Sequence, residues 1–319
     1  MLGPNLIVVY ALFYLGLLFA IAYWADRRAD QGRSVVASPT IYALSLAVYC
    51  TAWTFYGSVG RAASGGVGFL PIYLGPTLIA ALWGTLLLKM VRVSKAQRIT
   101  SIADFIASRY GKSQLLGGIV TVIAVLGVLP YIALQIRAVA ESMHVLTQEV
   151  PPDIIALVFC ATLILFGVLF GARHISPREK HRGLVVAMAF ESLIKLLVLL
   201  LIGGYALFSV FGGPDQLGLW LQQHPEALEA LYRPVNQSPW SALVFLSFAA
   251  AFLLPRQFHM IFAENLEPRG LRTATWAFPA FLLLLNLAIP VILWAGQRLQ
   301  LDINPDYFVL GITLVEGPS

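Results

Sequence analysis

Ser45-Leu46-Ala47-Val48-Tyr49-Cys50-Thr51-Ala52-Trp53-Thr54-Phe55-Tyr56-Gly57-Ser58-Val59-Gly60 is the stretch on which the reading of this chain turns. It belongs to an apolar run, Thr40–Gly60, of the roughly 20 residues that cross a bilayer as a helix. Yet it is full of hydroxyls and aromatics, and Gly57 and Gly60 interrupt its second half. A helix facing lipid uses Leu, Ile and Val; polar groups in hydrocarbon need partners, so this segment faces a protein or watery interior. A tightly packed interior helix satisfies that requirement. The functional reading is favoured over it, because aromatic side chains beside freed backbone groups are what a mid-membrane small-molecule site uses.

Working outward, seven further runs have the same length and apolar character: Leu6–Trp24, Phe69–Val91, Leu115–Met143, Ile154–Gly171, Gly183–Phe211, Trp240–Phe262 and Leu271–Gln297. They are continuously apolar, unlike the short alternating segments of an outer-membrane barrel. The composition agrees: of 319 residues, 59% are apolar and 12% charged, and the mean hydropathy is +0.79. So few charges exclude a soluble enzyme and a disordered chain. The fold class is therefore an all-α polytopic membrane protein of about eight transmembrane helices.

The net charge of +5 is explained by topology and not by nucleic acid. Of the 21 Lys and Arg residues, 15 fall in or beside the loops 25–39, 92–114, 172–182 and 263–270; Arg61, Arg233 and Arg298 lie on the opposite side, and Arg137, Lys195 and Arg256 within spans. That bias places the N-terminus outside. Ala20-Ile21-Ala22 resembles a signal-peptide cleavage site, but Arg27 and Arg28 follow the first run and no basic residue precedes it, so an uncleaved helix is expected. Cys50 and Cys160 lie in apolar runs and give no disulfide framework or metal spacing.

Between the spans, Gly212–Pro239 reads as a cap of short surface helices split at Pro225. Thr100-Ser101-Ile102-Ala103-Asp104 reads as a helix start capped by Ser101, leading a short amphipathic helix at the opposite face. Glu316-Gly317-Pro318-Ser319 follows closely on the eighth run and reads as an interior point of a longer protein. No phosphate-binding loop, nucleotide fingerprint or catalytic triad signature occurs.

The seventh run carries a second interruption, Leu254-Pro255-Arg256-Gln257-Phe258-His259, where Pro255 removes a backbone donor. Two interrupted helices, five spans apart and antiparallel, point to a transporter site between inverted halves. Charges inside the spans suit pairing at helical spacing: Glu191 with Lys195, and Arg137 with Glu141, each read as a structural ion pair. Arg256 is expected to snorkel to the cytoplasm. His259 reads as a satisfied structural group in preference to a pH-sensitive gate.

These residues resemble the sodium/solute symporter family, relatives of bacterial proline and sugar symporters. The match is carried by the broken helix Ser45–Gly60 and by Thr100-Ser101-Ile102-Ala103-Asp104-Phe105-Ile106-Ala107-Ser108-Arg109-Tyr110-Gly111. Tyr49–Gly57 and Leu254–His259 are most similar to the symporter-like N-terminal membrane region of bacterial sensor histidine kinases. The resemblance implies an incomplete inverted-repeat (five-plus-five helix) transporter fold: an extra helix and loop (1–39), a first five-helix repeat (40–211), an extracellular loop (212–239) and the truncated start of a second repeat (240–319). It implies Na+ as coupling ion, held by backbone carbonyls of Ala47 or Val48 and of Cys50 or Thr51. Tyr49, Trp53, Thr54, Tyr56 and Gln257 become the substrate-binding candidates, with Asp104 and Arg109 as structural parts of an inner gate. It further implies a small solute such as the amino acids histidine or proline, the bacterial cytoplasmic membrane, and a downstream kinase domain with a response regulator. A stand-alone symporter without a kinase is the alternative. A membrane acyl or prenyl transferase would need an acid–histidine cluster; the nearest, His174, Glu179 and His181, sits in a loop that reads as a basic anchor.

Overall fold

The interrupted second run folds as four short pieces. In this computed structural model, which describes residues 3–147, 150–166, 168, 182–232, 239–264 and 268–316, helix α1 (Pro4–Asp30) precedes it. Helix α2 (Pro39–Leu46) begins on a proline at its first position, where the missing N–H has no helical partner to lose. One 3₁₀ turn, Ala47–Tyr49, follows. The backbone then becomes extended at Cys50 (φ −80°, ψ 110°) and Thr51 (φ −105°, ψ −170°). Helix α3 (Ala52–Phe55) restarts on the reciprocal cap of Thr51 and Thr54, and α4 (Gly57–Gly65) follows beyond Tyr56. The cause is local: Val48, Tyr49 and Thr51 are β-branched or aromatic and lose rotamer freedom in a helix, while Thr51-x-x-Thr54 is a start signal.

The second interruption forms for a different reason. Helix α13 (Trp240–Leu253) stops at Leu254 (φ −54°, ψ 132°), and α14 (Pro255–Phe258) restarts at once before a π turn, His259–Ala263. Proline disfavours helical backbone at the residue before it and suits the first helical position. The two segments meet at a bend of 48°.

Elsewhere the chain forms α5 (Pro71–Leu82), joined by a π turn at Trp83–Leu87 to α6 (Leu88–Gln97). The short helix α7 (Ile102–Arg109) is capped by the Ser101 hydroxyl, which accepts from the Asp104 N–H at 3.1 Å. Long helices α8 (Gln114–Thr147) and α10 (Arg182–Tyr205) flank the shorter α9 (Pro152–Phe166). Two small helices, α11 (Pro214–Gln223) and α12 (Pro225–Leu231), are split at His224 and Pro225. Helix α15 (Pro268–Arg298) and α16 (Phe308–Glu316) complete the described chain.

Among the described residues, four helices are long and apolar enough to cross a membrane: Asn5–Asp30, Gln114–Thr147, Arg182–Val210 and Gly270–Arg298. Two bent pairs pass as well, Gly57–Phe69 with Pro71–Leu82 and Trp240–Leu253 with Pro255–Ala263, which gives four to six spans by length and composition. Pro39–Tyr49, Pro152–Leu165 and Pro305–Val315 are shorter apolar helices. Side chains such as Phe13 (71% exposed), Leu115 (76%) and Leu157 (71%) turn outward, a surface that water does not tolerate and lipid does. With no strand among the described residues, the protein is an all-α polytopic membrane protein.

Helices α2, α5, α10 and α15 and the π turn after α14 carry most of the buried core, with α13 packed on α5, α1 on α10 and α9 on α8. Close approach depends on small residues. At Gly75 of α5, an added Cβ would lie 2.1 Å from Ser247 Oγ and 2.3 Å from the Phe248 nitrogen of α13. The Ser247 hydroxyl donates to the Pro71 carbonyl at 2.6 Å. At Gly183, the N–H donates to Asp26 Oδ1 of α1 at 2.6 Å. His174, Glu179 and His181, with the neighbouring Arg173, Arg178 and Lys180, lie outside the described residues, as do Arg233 and residues 317–319.

Candidate functional site

The break between α2 and α3 releases backbone groups into the membrane interior, where an unsatisfied group costs several kcal/mol, about 2–7. Three side chains from three other helices answer them. Gln257 Nε2 of α14 donates to the Leu46 carbonyl at 3.3 Å. Lys195 Nζ of α10 donates to the Cys50 carbonyl at 2.7 Å. Gln135 Oε1 of α8 accepts from the Ala52 N–H at 3.2 Å. The Ala47 carbonyl accepts from the Cys50 N–H at 2.9 Å, and the Thr51 carbonyl from the Phe55 N–H at 3.2 Å.

Gln257 is 1% exposed, so the two broken helices are joined directly through their interruptions. A second link runs from the Tyr42 hydroxyl of α2 to the carbonyls of Met260 and Ile261, both at 3.4 Å. Lys195 is held from the other side by Glu191 Oε1 at 3.1 Å, four residues back on the same helix. The companion pair Arg137–Glu141 does not form; Lys195–Glu191 and His259–Glu264 do. The Arg137 charge acts on the Asp306 carboxyl instead.

Arg256 turns into the bundle and does not snorkel to a membrane face. Its Nη2 donates to the Tyr131 hydroxyl of α8 at 2.9 Å, and the guanidinium lies 5.5 Å from the Tyr131 ring centroid. Burial of Nε without a hydrogen-bond partner marks it as an interior charge. Both partners are half-buried, and a cation–π contact of that kind is worth about 0.5–2 kcal/mol, which offsets part of the cost of holding the charge there.

Beside α3 and α4 a cavity of about 480 Å³ is lined by Trp53, Gly57, Gly60, Arg61, Ala63, Ser64 and Asn304–Asp306. Its volume lies in the range of small-ligand sites, about 300–1,000 Å³. Gly60 makes the close approach possible, because an added Cβ would lie 1.7 Å from Asp306 Oδ1. The wall thus carries one aromatic face, one cation and one carboxylate. Burial raises the Asp306 carboxyl above its ordinary value, and Arg137 opposes that rise.

The candidates separate once these partners are assigned. Trp53 lines the cavity. The Tyr49 hydroxyl donates to the Ile72 carbonyl at 3.1 Å, and its ring packs edge-on against Phe278 at 6.2 Å; its polar group is engaged with α5 and its ring with α15. Thr54 accepts from the Thr51 N–H at 3.3 Å as part of the helix restart. Tyr56 packs on Tyr307 at 5.6 Å. Val48 and Cys50 lie in the buried core at the break. At the other end, Thr100 Oγ1 donates to Asp104 Oδ2 at 3.1 Å, and Arg109 lies in the last turn of α7. His259 faces the Thr100 carbonyl through Nδ1 at 3.4 Å and the Glu264 carboxylate through Nε2 at 3.1 Å. That arrangement fastens α14 to the segment that starts α7.

Sequence reasoning did not single out Gln135, Tyr131, Arg61 or Asp306 for the site. A lone glutamine inside Pro130–Arg137 carries a signal, since an amide in hydrocarbon needs a partner; Asp306 carries none, because its neighbour Gly60 is distant in the chain.

No family model matches this chain. It is similar to the uncharacterized symporter YodF of Bacillus subtilis (strain 168), 34% identical over 98 residues, which is 30% of this chain and 19% of the relative. The chain therefore covers about a fifth of the length of that relative. The similarity relates this multi-pass membrane protein to a symporter over that segment.

Proposed function

We propose that this chain is the solute-binding membrane unit of a symporter-type protein that takes a small zwitterion, an amino acid, by cation-coupled alternating access. The observation that carries the reading is the cavity beside the broken helix, where Trp53 offers an apolar face and Arg61 and Asp306 offer opposite charges on one wall. A carboxylate suits the guanidinium and an ammonium suits the carboxylate. The named activity of the Bacillus relative supports solute movement.

The packing supports an inverted repeat. The two most extensive helix contacts are α13 on α5 and α2 on α15. Exchanging each broken helix and its successor for the other pair converts one contact into the other, as a two-fold relation between halves requires. The excess of basic residues in alternate loops supports an outside N-terminus in a bacterial cytoplasmic membrane. A positive charge at the break is part of this reading; the family resemblance brings Na+ as the expected ion, and the chain itself holds an ammonium there. In it, solute occupancy shifts the populations of outward and inward states and passes that shift to a downstream kinase and response regulator. The relative's designation as a symporter favours a second reading, transport with no kinase attached.

The test is a thermal-shift panel of amino acids on the full-length protein in nanodiscs, followed by titration of the best binder. Trp53→Ala and Arg61→Gln are expected to lower affinity at least about tenfold, the range of one lost contact, with the melting temperature unchanged. The N-acetyl and methyl ester derivatives should bind as poorly. Equal affinity for these derivatives, or for the Trp53→Ala protein, overturns the site. Autophosphorylation of the full-length protein by ATP separates the two readings.

A further inference from the structure

We propose that the ammonium of Lys195 is the resident cation of the broken second span, and that it makes this site independent of Na+. The inference rests on the reading of the break as a cation place. It goes beyond that reading by naming a cation that is covalently part of the chain.

The physical demand is local. A helix that stops in the membrane interior ends in carbonyls with no intrahelical donor, and its negative dipole end attracts positive charge. Helix α2 and its 3₁₀ turn end at Cys50. The atom that meets the Cys50 carbonyl is Lys195 Nζ at 2.7 Å, a distance typical of charge-assisted hydrogen bonds. Glu191 at 3.1 Å holds the ammonium from behind, so the carboxylate nearest the break is already neutralised.

A carbonyl oxygen has two lone pairs, so one that accepts a neutral N–H can still coordinate a hard monovalent ion, whereas one held by an ammonium repels it. The Leu46, Ala47 and Thr51 carbonyls accept from neutral donors, Gln257, the Cys50 N–H and the Phe55 N–H, and each keeps a second lone pair, whereas the Cys50 carbonyl accepts from the Lys195 ammonium. No group of three or more His, Cys, Asp or Glu side chains occurs among the described residues to supply a charged alternative. A sodium ion entering the break would meet the Lys195 ammonium and would have to displace the donor that satisfies the Cys50 carbonyl. Lys195 is thus a positioning residue, since it sets the backbone that presents Trp53 to the cavity. It is also a specificity-determining one, since it closes the site to Na+.

The experiment measures saturable binding of radioactive Na+, and the melting temperature in NaCl against choline chloride, on the full-length protein in nanodiscs. Wild-type protein is expected to show no saturable Na+ binding and no Na+-specific stabilisation. Lys195→Met should acquire both, with a melting temperature about 3 °C or more higher in Na+ than in choline. Lys195→Arg, which keeps the charge, should stay insensitive. A lysine serving only the packing of α10 would not create a Na+ response when lost. Saturable Na+ binding by wild-type protein overturns the proposal and needs no variant to fold. A folded Lys195→Met protein that stays blind to Na+ overturns it too, because the break is then no cation place. Amino-acid binding measured in choline reports on the solute site alone. Its absence beside the expected sodium results sinks the functional reading and leaves this inference standing.

Discussion

Gln257 shows what a single residue does when two helices break side by side. Its amide is 1% exposed and donates to the Leu46 carbonyl, so it fastens one interruption to the other. Replacing it with leucine keeps the volume roughly and removes the donor, leaving a buried carbonyl unsatisfied at a cost of about 1–3 kcal/mol. Gln257→Leu is expected to lower the melting temperature, and Gln257→Glu to lower it further by setting a carboxylate against a carbonyl. Wild-type stability in Gln257→Leu would show that the link carries no weight. Gln257 was a candidate ligand contact through the family resemblance, which marks the segment around the helix-breaking Pro255. The sequence does not reveal that the partner is a backbone carbonyl 211 positions away. Trp53 was legible as a cavity residue, since an indole in a broken helix has few other uses. Tyr49 looked equivalent by composition, and only its contacts with Ile72 and Phe278 separate the two.

At the scale of elements, both interruptions were readable because each has a covalent or capping cause. Pro255 excludes helix at Leu254, and Thr51-x-x-Thr54 restarts a helix after residues that favour extended backbone. The helix start at Ser101 was readable for the same reason. Which helices press together was not readable, since one apolar face looks like another in a chain this hydrophobic. The α5–α13 seam makes the point: Gly75 has Ser247 and the Phe248 backbone where a side chain would begin. Gly75→Val is expected to destabilise by about 1–3 kcal/mol, the usual range for overpacking, because backbone cannot yield as a flexible side chain does. Gly204→Ala, on α10 with open space around it, is the matched control and should be neutral or mildly stabilising. Equal effects of the two in a thermal unfolding series would mean that the seam is loose.

Over the whole molecule, composition alone was enough for the class, because 12% charged residues leave no way to cover the surface for water. The long-range closure of the cavity was hidden. The segment before α16 returns to α4 and places Asp306 on Gly60, with Arg137 and Glu141 of α8 acting on the same region. Three distant parts of the chain therefore meet around one carboxyl, and its titration should be felt as stability. Burial raises the Asp306 value in the folded protein above the ordinary 3.8, the Arg137 charge pulling the other way. The folded state then binds more protons than the unfolded state just above pH 3.8, so stability contributed by this group falls as pH rises through the folded value. It is recovered on acidification and is fully present below 3.8. Asp306→Asn removes the buried charge without changing shape. It is expected to raise the melting temperature at neutral pH and to shrink the difference between neutral and mildly acidic buffer. The carboxyl is partly exposed, so the shift is modest and its sign is the observable. A fall in melting temperature at neutral pH would mean that the Arg137 attraction outweighs burial. Asp306 would then stabilise the closure as an anion, and acid would weaken it.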